Sequence, residues 1–300
     1  MLKSSPVLLE TSSRVRLMDK LSVSRMFQSV RWAFNWREWS PSEEDFAHAV
    51  SCVQLEEKER LGRFVFRKDV RASLAGRLMM RKFASEHGSI PYNCVALARD
   101  ENGKPVLRNA CSGLSFNVSH QGNYTVLAGE TRDVQLGVDV MKLEYTGGKR
   151  VAEFFRIMGR NFSASEWEEI KGPSVESEKI SMFCRHWALK ESYVKATGTG
   201  ITIDLRTIDF KTSSIVTDKS VTSDTVLYIN GTKQDWLFEE SLLDSEHCVA
   251  VALKENGGRP RAQSNLFRII NSDELLANAV PLFPIDSGYA EKYFGKEEHP

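Results

Sequence analysis

The chain has 300 residues, of which 41% are apolar and 27% charged, proportions typical of a folded protein with a sizeable core. Lys and Arg together number 40, as do Asp and Glu, so the formal net charge is zero. This balance argues against a nucleic-acid-binding protein that relies on overall positive charge. No apolar run approaches the roughly 18–20 residues that span a bilayer, so no membrane association is expected.

Five cysteines are spread through the chain without a CxxC pair or the Cys/His spacing of a zinc site. Scattered thiols favour a reducing, cytosol-like compartment. The first 30 residues lack the apolar stretch of a signal peptide, but their serines and basic residues are faintly similar to a mitochondrial transit peptide. We expect residues 1–29 to be a disordered extension of a cytosolic protein, with mitochondrial targeting as the less favoured alternative.

The first predicted element is a strand at 30–34, where β-branched and aromatic residues are concentrated. Pro41 and the acidic residues after it predict the start of a helix. A longer helix is predicted over 55–87, because apolar residues recur there at three- and four-residue spacing and Gly88 is a typical stop.

A β-rich region follows this helix. Residues 95–107 predict a hairpin, with Asn102 and Gly103 as its turn. Three short segments rich in β-forming residues then predict an antiparallel meander. These segments are 114–118, 124–128 and 135–140.

The same succession repeats after Gly147 and Gly148. Ser163 and Glu166 fit a capping box that opens a helix, and another helix is predicted over 179–197. Strands are then predicted at 203–210, 226–229, 236–239 and 248–253.

Helices followed by antiparallel strands thus occur twice, which predicts an α+β fold of two similar halves. We expect the halves to cover residues 30–146 and 147–255. A polar run after residue 255 predicts a linker, and the C-terminal tail, 256–300, is expected to be loosely ordered.

Residues 137–140, with the sequence GVDV, place a carboxylate in an otherwise apolar strand. Strand alternation puts Val138 and Val140 on one face and Asp139 on the other. A buried carboxylate needs a hydrogen-bond donor or a metal, whereas on an edge strand Asp139 could face solvent. The strand alone leaves both interpretations open.

Residues 187–196, with the sequence WALKESYVKA, place Glu191 and Lys195 four residues apart on one helix face. By itself this spacing favours a surface ion pair worth about 0.2–0.5 kcal/mol. Two polar segments are equally ambiguous, namely FNVSH at 116–120 and RDENGKP at 99–105. Each could be an ordinary turn, or could bind phosphate through its hydroxyl, imidazole and cationic groups.

The order of these motifs resembles that of the 4′-phosphopantetheinyl transferases of the large monomeric type, and in particular its eukaryotic members. GKP, NVSH, GVDV and WALKES, with a lysine four residues beyond the glutamate, follow one another at the family's spacing. Arg60, within EEKER, and the AGR helix segment at 75–77 are also similar to the family. The resemblance covers about residues 30–255.

The resemblance implies two pseudo-symmetric α+β halves with coenzyme A and Mg²⁺ in the cleft between them. Asp139 and Glu191, one from each half, would be the metal ligands. Glu191 would be the general base, directly or through a metal-bound water, and Lys195 would hold a phosphate and orient Glu191. The catalytic set implied is therefore Asp139, Glu191 and Lys195.

The resemblance also implies which residues bind coenzyme A, with the 99–104 loop at the adenosine 3′-phosphate end. These residues are Arg60, Arg99, Asp100, Glu101, Asn102, Gly103, Lys104, Asn117, Val118, Ser119, His120, Asp139, Glu191 and Lys195.

One position departs from the bacterial members of the family, which often have a second acid two residues after the strand aspartate. Met141 stands there, as in eukaryotic members. We therefore expect a water in place of a third protein ligand to the metal.

The partners implied are apo carrier-protein domains of three kinds, those of fatty-acid synthase, of an aminoadipate-semialdehyde dehydrogenase and of a mitochondrial acyl carrier protein. The resemblance implies a monomer. A coenzyme A-binding relative without transferase activity and a two-domain interaction module stay as alternatives. A P-loop or Rossmann enzyme is disfavoured, since neither glycine motif follows a predicted strand.

Overall fold

The computed structural model describes residues 27–108, 113–145, 147–200, 203–255 and 265–299. The predicted N-terminal extension up to residue 26, Cys111 and the polar linker at 256–264 lie outside these ranges. Within them, no helix is both long and apolar enough to cross a bilayer, and the four cysteines are free.

Among the described residues, the first half contains three α-helices and five strands. The helices are α1 (Glu43–Ser51), α2 (Leu55–Gly62) and α3 (Arg67–Gly88). The strands are β1 (Ser29–Asn35), β2 (Leu97–Arg99), β3 (Pro105–Leu107), β4 (Ser115–Gln121) and β5 (Tyr124–Glu130).

The single long helix expected over 55–87 was wrong, because the chain forms α2 and α3 with a break between them. Gly62 and the β-branched and aromatic residues that follow it have low helix propensity, and Phe64 packs against the core of the first half. Phe66, with extended backbone angles, then occupies the N-cap position of α3. Burial of Phe64 therefore overrides the continuous apolar periodicity.

In the part of the second half that the structure describes, there are six strands and three α-helices. The strands are β6 (Gln135–Lys142), β7 (Ile208–Lys211), β8 (Val226–Ile229), β9 (Thr232–Lys233), β10 (Leu237–Asp244) and β11 (His247–Lys254). The helices are α4 (Val151–Ile157), α5 (Ala164–Lys171), which the predicted capping box of Ser163 and Glu166 opens, and α6 (Glu176–Thr197). The strand expected from 203 begins only at 208, after a 3₁₀ turn capped by the Asp204 side chain.

Strand β6 does not complete a meander with β4 and β5, as the sequence predicted. It pairs antiparallel with β11 instead, in a sheet of order β10-β11-β6, with Asp139 opposite Ala250. In the first half β1, β5 and β4 form an antiparallel sheet. The boundary between the halves therefore lies before Gln135 rather than at residue 146.

The two halves are built alike. Each has a helix of 22 residues, α3 in the first half and α6 in the second, packed on an antiparallel sheet. Each has its own apolar core, and a third core of residues such as Ala33, Val138 and Val251 lies between the two sheets. The predicted α+β fold of two similar halves is confirmed.

The tail beyond residue 265 is ordered, so the expectation of a loose tail was wrong for 265–299. It forms β12 (Arg268–Ile270), parallel to β1, followed by α7 (Ser272–Leu276) and α8 (Ser287–Phe294). Tyr293 is buried against Phe46, and its hydroxyl accepts a hydrogen bond from Arg71 at 3.1 Å. Burial of apolar groups on the first half supplies the order that local pattern did not reveal.

Side chains of β4 join the two sheets along a line that we call the seam. The Ser115 hydroxyl and the Asn117 amide oxygen accept hydrogen bonds from the backbone N–H groups of Val134 and Val138, each at 3.0 Å. The Gln121 amide oxygen accepts from the N–H of Lys142. Alternate residues of β4 thus replace main-chain pairing to β6, since residues two apart share one strand face.

A buried ion group closes the same interface away from this line. Arg31 of β1 lies 2.8 Å from a Glu130 carboxylate oxygen and 2.9 Å from one of Glu239 in β10. All three side chains are buried. Burial of charge is tolerated here because each charge is paired and hydrogen-bonded.

Candidate active site

Asp139 lies at the middle of the seam. Its Oδ1 accepts hydrogen bonds from the Ser119 hydroxyl at 2.7 Å and from the Lys195 ammonium at 2.6 Å. The aspartate is 6% exposed, so the interpretation as a solvated surface residue does not hold. Both bonds fall on Oδ1, which leaves Oδ2 available for another partner.

Lys195 comes from the last turn of α6 and reaches across the seam. Its Nζ donates to Asp139, to the Ser119 hydroxyl at 2.8 Å and to the Val138 carbonyl at 3.3 Å. It is therefore not the surface partner of Glu191 that four-residue spacing favoured. The ammonium already donates to three acceptors, so what it offers an anion between the halves is chiefly its positive charge.

Gly137 allows α6 to approach β6 closely enough for this contact. A Cβ atom at this position would lie 2.0 Å from the Ser192 carbonyl oxygen and 2.5 Å from the Ala196 nitrogen. Any side chain would push the helix off the strand, and Lys195 would no longer reach Asp139. The close packing of α6 on β6 thus explains why glycine is the first residue of the GVDV motif.

Glu191, one turn before Lys195, is half-buried and has no hydrogen bond or ion pair among the described residues. Its pKa is raised, first by burial and then by the negative charge of Asp139, although Lys195 opposes the shift. The carboxylates of Asp139 and Glu191 thus lie near one another, and the positive charge of Lys195 does not fully offset their repulsion. A cation between them would relieve this repulsion.

The arrangement fits Mg²⁺. Among the described residues, no group of three or more His, Cys, Asp and Glu side chains is arranged to hold a metal. Mg²⁺ is commonly held by one or two carboxylates together with substrate phosphates and waters. Asp139 Oδ2 and the Glu191 carboxylate would be two such ligands, with substrate phosphates and waters completing the coordination.

Met141 lies two residues beyond Asp139 in β6, opposite Cys248 of β11. It is partly buried and packs against the core of the second half. The position two residues beyond Asp139 thus holds an apolar side chain packed against the second core.

His120 follows Ser119 at the end of β4. Its side chain is exposed, yet its pKa is lowered, because the surrounding protein partly desolvates the ring and the positive charges of Lys195 and Arg77 disfavour the imidazolium form. The ring is therefore in electrostatic reach of both Lys195 and Arg77. His120 also lines a cavity of about 300 Å³, together with Lys68 and Lys142.

Four arginines line a cavity of about 160 Å³ between α2, α3 and the β2–β3 hairpin. Arg60 and Arg99 were predicted from sequence, whereas Arg77 was noted only as part of a motif and Arg108 was missed. The pKa of Arg77 is lowered, first by burial and then by Arg99 and Arg60, although Glu57, 3.1 Å away, opposes this shift. The four guanidinium groups outnumber the carboxylates of Glu56 and Glu57 in this lining, so the cavity is suited to bind a phosphate.

The predicted loop at 99–104 lies beside this cavity, and most of its polar groups serve the turn itself. Asp100 Oδ1 accepts from the backbone N–H groups of Asn102 and Lys104 at 2.9 and 2.8 Å, and Arg99 donates to the Gly103 carbonyl. Glu101 is exposed. The loop therefore offers a ligand chiefly its cations and backbone.

Two predicted ligand residues belong to the scaffold in this structure. The Asn117 amide oxygen is taken by the Val138 N–H, and Val118 packs towards Gly76 of α3. Lys104 ties the hairpin to the second half, where its Nζ donates to the Leu136 carbonyl at 3.0 Å. Burial lowers the pKa of Lys104, although Asp100 opposes the shift.

Two family models match the chain and divide it where the structure does. One, described as 4′-phosphopantetheinyl transferase, N-terminal, matches residues 37–132. The other, described as 4′-phosphopantetheinyl transferase superfamily, matches residues 135–252, from β6 through most of β11. The chain belongs to the 4′-phosphopantetheinyl transferases, enzymes that transfer phosphopantetheine from coenzyme A to a carrier-protein serine.

Individual relatives agree with this assignment over nearly the whole chain. The L-aminoadipate-semialdehyde dehydrogenase-phosphopantetheinyl transferase of Rattus norvegicus is 40% identical over 93% of this chain and 95% of the relative. The protein of that name from Homo sapiens is 41% identical over 91% and 93%. A phosphopantetheinyl transferase from Thraustochytrium sp. is 34% identical over 75% and 78%. The resemblance predicted from motif order is confirmed.

Proposed function

We propose that this enzyme is Mg²⁺-dependent and acts as a holo-[acyl-carrier-protein] synthase, with Asp139, Glu191 and Lys195 as its catalytic residues. It converts apo carrier domains into holo domains and releases adenosine 3′,5′-bisphosphate. The observation that carries the proposal is the contact of Lys195 with both Asp139 and Ser119, which joins the two halves at one point. A substrate that needs residues of both halves would bind across this point.

The charges support one orientation of coenzyme A. The arginine cavity suits the 3′-phosphate of the nucleotide, because several guanidinium groups share a small space there. His120, Ser119 and Lys195 suit the pyrophosphate, since an imidazole, a hydroxyl and an ammonium lie near Asp139. Mg²⁺ held by Asp139 and Glu191 would neutralise negative charge on the pyrophosphate.

In the transfer, the oxygen of the carrier serine forms a bond to the β-phosphorus of coenzyme A. The bond from that phosphorus to the bridging oxygen breaks, and adenosine 3′,5′-bisphosphate leaves. Glu191 takes the serine proton, since its carboxylate lies near Asp139 and has no hydrogen bond or ion pair among the described residues. Lys195 stabilises the charge that develops on the phosphoryl oxygens.

The experiment is incubation of the protein with apo carrier protein, coenzyme A and Mg²⁺, followed by mass spectrometry of the carrier. The expected result is a mass gain of one phosphopantetheine group that requires both Mg²⁺ and the acceptor serine. Transfer that continues unchanged with excess chelator would contradict Mg²⁺ dependence. Coenzyme A binding without transfer to any carrier tested would favour a binding protein without transferase activity.

We propose carrier domains of three kinds as partners, those of fatty-acid synthase, of an aminoadipate-semialdehyde dehydrogenase type and of a mitochondrial acyl carrier protein. The names of the rat and human relatives support the second kind. We also propose that the enzyme acts as a monomer in the cytosol. Parallel assays with the three carriers rank them by kcat/KM. Light scattering tests whether the enzyme is a monomer, and cell fractionation tests its cytosolic location.

A further inference from the structure

The turn that follows the phosphate-binding segment is held by a histidine of the other half. Gly122 and Asn123 form the two-residue turn between β4 and β5, just after Ser119 and His120. The Asn123 N–H donates a hydrogen bond of 3.1 Å to Nε2 of His247, the first residue of β11. His247 is fully buried, so its ring is part of the interface between the halves.

The hydrogen bonds of His247 define its tautomer. A backbone N–H can only donate, so Nε2 must accept, and the ring proton is on Nδ1. That proton is donated to Asp244 Oδ1 at 2.9 Å, and the same oxygen accepts from the Glu246 N–H at 2.8 Å. Burial would raise the pKa of Asp244, but these bonds hold it below its usual value. Asp244 therefore fixes the ring orientation, as carboxylates do for ligand histidines.

The turn is shaped around the imidazole. Gly122 has φ +62°, and a Cβ there would lie 2.4 Å from His247 Nε2. Tyr124 stands edge-on to the ring, with centroids 4.9 Å apart. Only glycine permits both this backbone conformation and this close approach.

The side-chain bonds between β4 and β6 show which distances the contact between His247 and the turn can affect. Between β4 and β6 the seam consists of side-chain bonds, so the spacing of the two strands depends on a few groups. The Ser119 hydroxyl bonds to Asp139, and His120 follows Ser119 in β4. The turn that contacts His247 begins two residues after His120. A shift of the turn would move the hydroxyl and the imidazole relative to both catalytic carboxylates.

We propose that His247, oriented by Asp244, is a positioning residue that sets the distance between the Ser119–His120 segment and the carboxylates of Asp139 and Glu191. The proposal rests on the phosphate-binding and catalytic roles proposed above. Displacements of about 1 Å at a reacting centre can cost about 100-fold in rate. The effect of His247 should therefore exceed what its contribution to stability explains.

The test compares His247→Leu with His247→Gln. Leucine fills similar space but cannot accept from the Asn123 N–H, whereas the glutamine carbonyl can. Well below the melting temperature, His247→Leu should lower kcat/KM by about 10- to 100-fold and weaken coenzyme A binding. His247→Gln should recover most of both, and Asp244→Asn, which keeps the size of the side chain, should give an intermediate loss.

His186 offers a matched control. It is also fully buried and also faces a carboxylate, with Nε2 3.3 Å from Glu169, but its Nδ1 bonds to the Met182 carbonyl within α6. His186→Leu should lower the melting temperature and leave kcat/KM unchanged. Titration of coenzyme A measures binding separately from turnover.

The outcomes separate this proposal from the proposed function. An active wild-type enzyme whose folded His247→Leu variant keeps normal kcat/KM would overturn the positioning role alone. Losses in both histidine variants that follow only their melting temperatures would make His247 a structural residue. If the wild-type protein binds coenzyme A but transfers nothing, the proposed function fails, and the binding titrations still decide the role of His247.

Discussion

The two halves are built alike, yet they bring opposite charges to the site. The first half supplies the arginine cavity, His120 and the Ser119 hydroxyl. The second supplies the carboxylates of Asp139 and Glu191, with Lys195 as its cation. The comparison teaches that duplication of a scaffold does not duplicate its chemistry. Under the proposed function, binding of the anionic substrate would fall mainly to the first half and the reaction to the second.

The long helices show the same division. Most of α3 is buried, and its apolar residues hold the first core together. Helix α6 is of equal length, but its last turns leave Glu191 and Lys195 only half-buried at the seam. If the division is real, substitutions in the second half should lower kcat, and substitutions in the first half should raise KM for coenzyme A.

The largest effect is expected for Asp139→Asn, which removes a charged metal ligand and the anionic partner of Lys195 while conserving shape. We expect kcat to fall by about 100- to 1,000-fold and the Mg²⁺ requirement to rise by about tenfold or more. Steady-state kinetics over a range of Mg²⁺ concentrations measures both. Asp209→Asn is the control. Asp209 is also an aspartate on a strand that accepts bonds from serine hydroxyls, those of Ser163 and Ser165, but it lies in β7. Near-normal transfer by Asp139→Asn would rule out the metal role.

Lys195→Ala should lower kcat by about 100-fold, because it removes a donor to the developing phosphoryl charge. Lys149→Ala is the matched control, since Lys149 is in a true surface pair with Glu153, four residues on, at 2.9 Å. That control should lose about 0.5 kcal/mol or less and keep full activity. If the two variants behave alike, Lys195 has no part in the reaction.

His120→Ala and Arg99→Ala should each raise KM for coenzyme A by about tenfold with little change in kcat, a loss of about 1.4 kcal/mol in binding. Arg206→Ala, at an exposed pair of the second half, is the control. A fall in kcat alone would move the residue concerned into the reacting centre.

His120 also predicts a pH dependence of binding. The pKa of its free imidazole is lowered by partial desolvation and by Lys195 and Arg77, and a bound phosphate would raise it. Between these two pKa values, binding takes up a proton, so KM for coenzyme A should fall as the pH is lowered. His120→Gln should weaken this dependence. An identical pH profile for the variant would exclude an ionic role for the ring.

The smallest effect is expected for Met141→Glu, which adds a carboxylate on the strand face of Asp139. Activity should be kept, and half-saturation by Mg²⁺ should occur at a few-fold lower concentration, because a hard cation gains an oxygen ligand. Met141→Leu controls for lost packing against the second core. Melting curves show whether the buried charge destabilises the fold. A folded variant with unchanged Mg²⁺ dependence would contradict the proposed metal position, though not the transferase assignment.

Sequence alone was sufficient for the family, the α+β class, and the segments that carry Asp139, Ser119, Glu191 and Lys195. These conclusions depended on local information, namely residue spacing, turn chemistry and motif order. Sequence alone was insufficient where burial of apolar side chains competes with the local residue pattern. The break between α2 and α3 and the ordered tail both follow from apolar contacts with the first core, which no local window contains.

Only the tertiary structure decided which groups meet. The partner of β6 is β11, over a hundred residues away, and alternation along a strand does not specify its neighbour. Lys195 could have paired with Glu191 at helical spacing, but the close approach of α6 at Gly137 gives it Asp139 instead. His247 and Arg108 carry no motif, because their roles arise from long-range contacts. Local chemistry determined the reactive groups, and packing between the halves determined the site.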